Sequence, residues 1–141
     1  MKVKEAMSVD PETISPTATI KKAAKKMNAF RIGSLIVITP GFEIVGIITE
    51  RDILKAFVKG KGPETKVRDI MTKNVVTIEQ NAPLEEAADK MLKYGIKRLA
   101  VVKKGQCVGI ITTTDLITYE ARLTDKLMEL MQTPKKLVQG G

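Results

Sequence analysis

Two nearly identical stretches decide the fold: VGIITERD at residues 45–52 and VGIITTTD at residues 108–115. They lie 63 residues apart, and upstream of them an offset of 64 residues makes 12 of the 37 pairs from Val3 to Thr39 identical. A fixed period of this length marks an internal structural repeat. The sequence therefore predicts two copies of one unit. Their bounds are residues 1–58 and 67–121, with a linker at 59–66 and a C-terminal helix and tail at 122–141.

Each copy shows the same order of secondary-structure signals. A lead-in of about one helical turn (VKEAM, VRDIM) precedes a brief strand and a helix with apolar residues at i, i+3, i+4 and i+7. Thr17 and Asn81 are candidate N-caps of that helix. A hairpin and a second helix follow. The predicted strands are 12–14, 34–39 and 43–49 in the first copy and 75–78, 98–102 and 106–112 in the second.

This order of elements indicates an α/β (α+β) fold. Two βαββα repeats bury the apolar sides of their sheets against each other with pseudo-twofold symmetry. The C-terminal helix carries an apolar stripe that packs on its own domain or forms a seam for a second subunit, and PKKLVQGG at 134–141 is predicted to fray. The stripe consists of Leu116, Tyr119, Leu123, Leu127 and Leu130.

The composition argues against an enzyme. The chain has no histidine and a single cysteine, Cys107, so it lacks the commonest general base and cannot build a cysteine-rich metal site. The linker KGKGPETK resembles a phosphate loop but has the wrong spacing for one. We therefore assign no catalytic residue and no metal ligand.

The net charge of +8 attracts anions such as nucleotide phosphates, nucleic acid or acidic membranes, although lysine is also common on ordinary solvated faces. With no Trp, two Tyr and three Phe, the chain has few platforms for stacking single-stranded nucleic acid. No apolar run approaches the roughly 20 residues of a membrane span, and no secretory signal is visible. We expect a cytoplasmic protein that makes no membrane contact.

The GIITERD and GIITTTD segments hold the main candidate binding residues. Each places a Thr where a strand becomes a helix and an Asp one helical turn later, close to free helix N–H groups that attract anions. An ionised Asp accepts two hydrogen bonds from a vicinal diol such as that of ribose. The same spacing is typical of a capping box, which only starts a helix, and the motif alone favours capping.

In this order and duplicated, the motifs resemble a tandem pair of CBS domains, the module named after cystathionine β-synthase, also called a Bateman module. The resemblance rests on the lead-ins, the Thr-Ile strands, the IKKAAKKM and LEEAADKM helices and the GIIT ends, over about residues 3–120. It implies a regulatory cleft between the copies that binds AMP, ADP, ATP or S-adenosylmethionine, with no required cofactor. It also implies a homodimer. Because no enzyme or channel is attached, we expect a regulated partner in trans, with nucleic-acid binding as the weaker alternative function.

The resemblance also assigns site residues by motif position. The Asp of each motif would hold ribose, the Thr would contact ribose or phosphate, and the main chain of the first strand would meet adenine. These residues are Thr13, Ile14, Thr49 and Asp52 in the first copy and Thr77, Ile78, Thr112 and Asp115 in the second.

The candidate phosphate partners differ between the copies. Arg51 corresponds to Thr114, whereas the pair Lys97 and Arg98 corresponds to the small, uncharged Gly33–Ser34. Since each family site borrows residues from both halves, one site should be better supplied with cations than the other. Ordinary exposed charge is the alternative reading of each cation.

Overall fold

The computed structural model describes residues 1–132, which form five α-helices and seven strands. None of the helices in residues 1–132 combines the length and the hydrophobicity of a membrane span. The helices are α1 (Val3–Ala6), α2 (Ile20–Phe30), α3 (Glu50–Val58), α4 (Leu84–Tyr94) and α5 (Thr113–Gln132). The strands are β1 (Ser8–Val9), β2 (Thr13–Ile14), β3 (Ser34–Ile38), β4 (Ile44–Thr49), β5 (Thr77–Glu79), β6 (Arg98–Lys103) and β7 (Gln106–Thr112), and a 3₁₀ helix spans Val67–Asp69.

The strands form two sheets, one for each copy. In the first sheet, ordered β2-β3-β4, the short β2 runs parallel to β3 and the hairpin partner β4 runs antiparallel to it. The second sheet, ordered β1-β7-β6-β5, repeats this arrangement and adds β1 at its edge. The predicted α+β fold of two repeats is therefore confirmed.

Each repeat has its own apolar core under its first helix. In α2 the buried residues Ile20, Ala23 and Met27 follow the predicted helical spacing, and they pack against the buried Leu35 and Ile48 of the first sheet. The second core is built in the same way around Ala87 and Met91. Helical periodicity in the sequence thus located both cores.

The predicted helix caps were wrong. Helix α2 is capped by Thr19, whose hydroxyl accepts from Lys22 N at 3.2 Å, while the Thr17 hydroxyl instead contacts Ser15 Oγ in the preceding turn. Helix α4 begins after Pro83 rather than Asn81, and no side chain caps it. Proline provides the extended backbone needed at this position but has no hydroxyl or carboxylate to accept an amide.

The lead-in segments are exchanged between the repeats. Val3, in the lead-in of the first copy, is fully buried in the core of the second, and its amide donates to Ala82 O at 2.8 Å. Val67, in the lead-in of the second copy, is fully buried in the core of the first, and its amide donates to Ala18 O at 2.8 Å. Each folded half is therefore completed by a segment of the other sequence copy.

The glycine of each VGIIT stretch makes room for this exchange. A Cβ on Gly109 would lie 2.7 Å from both Met7 Sδ and Ser8 O, atoms of the lead-in that pairs with β7. A Cβ on Gly46 would lie 2.5 Å from Met71 Sδ. Glycine recurs at this position because the lead-in crosses the strand too closely for any side chain.

Helix α5 joins the second helix of the second copy to the C-terminal extension without a break. Of its apolar stripe, Leu116 packs against the second core and the Tyr119 hydroxyl contacts Met1 Sδ. Leu127 and Leu130 farther along are 52% and 70% exposed. The two readings of the stripe thus apply to different parts of it: its start packs on its own domain and its end is uncovered in this chain. The predicted frayed end, 134–141, lies outside the described residues.

Candidate functional site

The two repeats meet at a contact between equivalent residues. Ser34 and Arg98 each begin the first hairpin strand of their copy, and Arg98 Nη1 donates a 2.5 Å hydrogen bond to Ser34 Oγ. Because the two positions are related by the repeat, the pseudo-twofold axis passes close to this bond. Ser34 is buried, and the guanidinium satisfies its hydroxyl.

A cavity of about 330 Å³ lies beside this contact, lined by both repeats. The first repeat contributes Ser34 and Thr49, and the second contributes the segment 74–76, Lys97 and Arg98. Besides Val75 and Val76, the apolar part of the lining consists of Ile36, Ile47, Ile96, Ala100 and Ile110. A largely apolar lining with a few convergent polar groups is typical of small-molecule sites.

The Thr-x-x-Asp motifs form reciprocal capping boxes in both copies. Thr49 N donates to Asp52 Oδ2 at 2.9 Å, and Asp52 N donates to Thr49 Oγ1 at 3.1 Å. The corresponding distances for Thr112 and Asp115 are 2.9 and 3.2 Å. A carboxylate has about four acceptor positions, so this capping leaves each half-buried Asp able to accept further hydrogen bonds.

Of the predicted site residues, the structure brings Thr49, Lys97 and Arg98 together in the cleft cavity. Arg51 lies on the exposed outer part of α3, in a separate depression with Leu54 and Phe57. Thr114 is exposed in the first turn of α5.

The first-strand residues lie away from the cleft cavity. Thr13 and Ile14 line a depression on the first repeat, and Thr77 lines another between the two hairpins. The side chains of Ile14 and Ile78 belong to the two cores.

The carbonyls of these first strands already accept hydrogen bonds from lysines. Lys26 Nζ donates to Thr13 O at 2.5 Å, and Lys90 Nζ donates to Thr77 O at 2.8 Å. These bonds tie the first helix of each repeat to its first strand. They explain why lysine recurs at this position in α2 and α4, two helices that otherwise differ in charge.

Asn74, Val75 and Val76 form one edge of the cavity, although no motif in the sequence pointed to them. Their repeat counterparts are Asp10, Pro11 and Glu12, so the edge that is uncharged on one side of the axis contains two acids on the other. Both segments directly precede the first strand of their copy. The difference in charge between them was the sequence signal that could have identified this edge.

One thiol lies near the hairpin of the second repeat but outside the cavity lining. Burial raises the pKa of Cys107 above its ordinary value of 9.0, while a weak hydrogen bond from its Sγ to Gly109 O, at 3.7 Å, opposes that rise. Cys107 is therefore a neutral, half-buried thiol near neutral pH, unlike a reactive cysteine.

The chain matches known proteins over nearly its whole described length. A family model of the CBS domain matches residues 3–59 and again residues 67–122. The CBS domain-containing protein YhcV of Bacillus subtilis is 34% identical to this chain over 115 residues, which are 81% of each protein.

Two solved structures with bound ligands have the same fold. The CBS domain pair of protein MJ0100, in complex with 5′-methylthioadenosine and S-adenosyl-L-methionine, is 34% identical, with a TM-score of 0.76 over 84% of this chain and 98% of that one. The CBS domain protein PAE2072 from Pyrobaculum aerophilum, complexed with AMP, is 26% identical, with a TM-score of 0.78 over 89% of this chain and 97% of that one.

Proposed function

We propose, since the chain belongs to the CBS-domain family, that it is a regulatory sensor that binds an adenosine-containing ligand between its two repeats. The observation that carries this proposal is the cavity lined by both repeats, which joins Thr49 of one to Lys97 and Arg98 of the other. The adenosine ligands of the two structural relatives support the same class of ligand.

The chemistry of the lining suggests a role for each group. Lys97 and Arg98 supply charge-assisted hydrogen bonds to a phosphate or carboxylate. The Thr49 hydroxyl and the remaining acceptor capacity of Asp52 suit the ribose hydroxyls. The main chain of 74–76 and the apolar residues next to it suit the adenine ring. Arg51, farther out, is proposed only as a long-range positive charge, and the roles of Thr13, Ile14, Thr77 and Ile78 stay predictions.

We further propose that anionic ligands fill one side of the cleft. On the cavity side the edge is uncharged, whereas its repeat counterpart contains Asp10 and Glu12. Like charges disfavour a phosphate there. Thr112, Thr114 and Asp115, on that side, have the right chemistry for ribose but no cation in place of Arg51.

The proposed output is a shift of the balance between arrangements of the two repeats. A ligand that binds only one arrangement of the two repeats stabilises that arrangement by RT ln(1 + [L]/Kd), about 2.7 kcal/mol at a hundredfold excess over Kd. A cytoplasmic partner that prefers this arrangement would then respond to the ligand in trans. The chain's own residues have no catalytic part in this proposal.

Isothermal titration calorimetry with AMP, ADP, ATP and S-adenosylmethionine tests the proposal. We expect one ligand per chain. Asp52→Ala and Asp115→Ala form a matched pair, because each removes the same kind of capping box, but only Asp52 is bonded to a threonine, Thr49, that lines the cavity. Both should lower thermal stability similarly, and Asp52→Ala alone should weaken binding. The absence of heat with every ligand at millimolar concentration would reject the sensor function.

A further inference from the structure

The depression on the first repeat that Thr13 and Ile14 line is separate from the cleft cavity. It encloses about 290 Å³ between β2, the start of α2 and the end of β3. Strand β3 begins at Ser34, which lines the cleft cavity, and ends at Ile38, which lines this depression. A strand rises about 3.3 Å per residue, so roughly 13 Å of β3 lies between the two sites.

The polar part of this depression consists of hydrogen-bond donors. Its polar side chains are those of Thr13, Ser15, Lys22, Lys26 and Thr39, and within residues 1–132 no carboxylate belongs to this lining. A concave surface lined by charges of one sign concentrates their electrostatic potential. The depression should therefore attract an anion.

The two lysines are ready to bind before a ligand arrives. Lys26 is half-buried, and its Nζ donates to Thr13 O at 2.5 Å, which fixes the position of the ammonium group. An ammonium has three N–H donors, so two remain for a ligand. The exposed Lys22 side chain has no hydrogen bond or ion pair with residues 1–132, so all three of its donors are available.

Hydroxyl groups next to these lysines are also held in place. Ser15 Oγ lies 3.0 Å from Thr17 Oγ1 and accepts from Thr17 N at 3.3 Å. This pair uses only one of its two hydroxyl protons, so the other can be donated to a ligand. Thr39 Oγ1 accepts from Glu43 N at 3.2 Å, which leaves its own proton to donate.

The equivalent place on the second repeat has a different chemistry. Ser15 corresponds to Glu79, and Lys22 corresponds to Glu86. The lysine that is bonded to the first strand recurs in both repeats, so the shared fold accounts for it. The fold does not account for Ser15 and Lys22, because acids stand at those positions in the second repeat. The donor-only lining is therefore specific to the first repeat.

We propose that this depression binds the phosphate group of a small phosphate monoester. Such a group carries nearly two negative charges and three strong acceptor oxygens, which match the converging ammonium and hydroxyl donors. The volume is close to the lower end of the range for small-molecule sites, so it suits a phosphate on a short carbon chain rather than a whole nucleotide. The site goes beyond the adenosine cleft, and neither site depends on the other.

Two-dimensional ¹H–¹⁵N NMR spectra of the full chain, titrated with inorganic phosphate and with glycerol 3-phosphate, test the site. A constant ionic strength separates binding from general screening of charge. We expect saturable shifts of the amides of Ser15, Thr17 and Thr39 with both ligands. Phosphate bound in the cleft would instead shift the amides of Lys97 and Arg98, so the spectra distinguish the two sites by location.

Lys22→Glu and Lys21→Glu form a matched pair of variants. Both lysines are exposed in the first turn of α2 and undergo the same change of charge, but only Lys22 lines the depression. Lys22→Glu should weaken phosphate binding at least about tenfold, because it replaces a charged donor with a like charge. Lys21→Glu should weaken it less than about threefold, because solvent and salt screen the more distant charge.

Ser15→Ala tests the hydroxyl donors without a change of charge. It should weaken phosphate binding about two- to fivefold, because it removes a single neutral hydrogen bond. Circular dichroism verifies that all three variants are folded.

Three outcomes would overturn the proposal: no saturable shift around the depression with either ligand up to about 20 mM, equal weakening by Lys22→Glu and Lys21→Glu, or shifts confined to the cleft. A further titration with duplex DNA tests a phosphodiester backbone as the source of the phosphate. Salt-sensitive shifts with DNA, and none with glycerol 3-phosphate, would also overturn the proposal and would assign the depression to nucleic acid.

Discussion

Arg98 Nη1 donates a hydrogen bond to Ser34 Oγ, and these two residues occupy the same position in the two repeats. Two identical side chains this close to a twofold axis would face each other, and two arginines would bring like charges together. Here the long Arg98 side chain of the second copy reaches across the axis to the short Ser34 side chain of the first copy. The local asymmetry leaves one cationic group at the centre of the cleft, beside the cavity.

The first prediction concerns that cation. We expect Arg98→Ala to lower the affinity for AMP or ATP by about tenfold or more, because a hydrogen bond to a charged group contributes roughly 1.5–3 kcal/mol. Calorimetric titration measures the change. Lys104→Ala removes an exposed positive charge outside the cavity and should leave the affinity nearly unchanged. If Arg98→Ala binds as tightly as the wild type, Arg98 has no part in ligand binding and only contacts Ser34.

The second prediction concerns the crossing of the lead-in over β7. Gly109→Ala should destabilise the fold by about 1–3 kcal/mol, because its Cβ would overlap Met7 Sδ and the main-chain oxygen of Ser8. Urea unfolding measures the loss. Gly62→Ala is the matched control, since a Cβ there meets no atom within 4 Å, and it should be neutral or slightly stabilising. A stable Gly109→Ala variant would show that the lead-in shifts easily.

The third prediction separates the two repeats by hydrogen exchange. Val3→Ala should cost about 2 kcal/mol and should accelerate exchange mainly in α4 and β7, although residue 3 belongs to the first sequence copy. Val67→Ala should instead accelerate exchange mainly in α2 and β4. Val9→Ala, at a position that is 63% exposed, should change stability by less than about 0.5 kcal/mol. The opposite pattern of exchange would contradict the exchange of lead-ins.

The fourth prediction follows from the buried thiol. Because burial raises the pKa of Cys107 in the folded chain, the thiol's contribution to stability is complete below its ordinary value of 9.0 and decreases as the pH rises through the raised value. The free energy of unfolding should therefore decrease less between pH 8 and pH 11 in Cys107→Ala than in the wild type. Identical pH profiles in urea unfolding would show that the thiolate is equally tolerated in the folded chain.

Local patterns predicted the repeat, both hairpins and both core helices, because the spacing of apolar residues that marks a strand or a helix involves only residues close together in the sequence. They could not predict the exchange of Val3 and Val67. The two lead-ins, VKEAM and VRDIM, begin and end with the same residues and have the same order of charges, so their sequences do not indicate which core each valine enters. The reciprocal caps were likewise open to two readings, because Thr49 and Asp52 stand at a spacing that serves capping and ligand binding alike.

The cleft was only partly predictable for a related reason. Thr49, Lys97 and Arg98 follow motif positions, and the structure places them in one cavity. The segment 74–76 lines it largely through its position before a strand rather than through distinctive side chains. The sequence shows that this segment is uncharged where its counterpart has two acids, but whether it faces the cleft depends on how the two sheets pack.

The exchanged lead-ins also set the order in which the protein can be completed during synthesis. Val9 pairs with Gly109 in β7, so residues near the start of the chain wait for a strand made about a hundred residues later. The first repeat, in turn, lacks part of its interior until Val67 has emerged from the ribosome. Contacts between such distant residues slow folding. Neither half cut at the linker would contain a finished core, so we expect the two halves to fold as one cooperative unit.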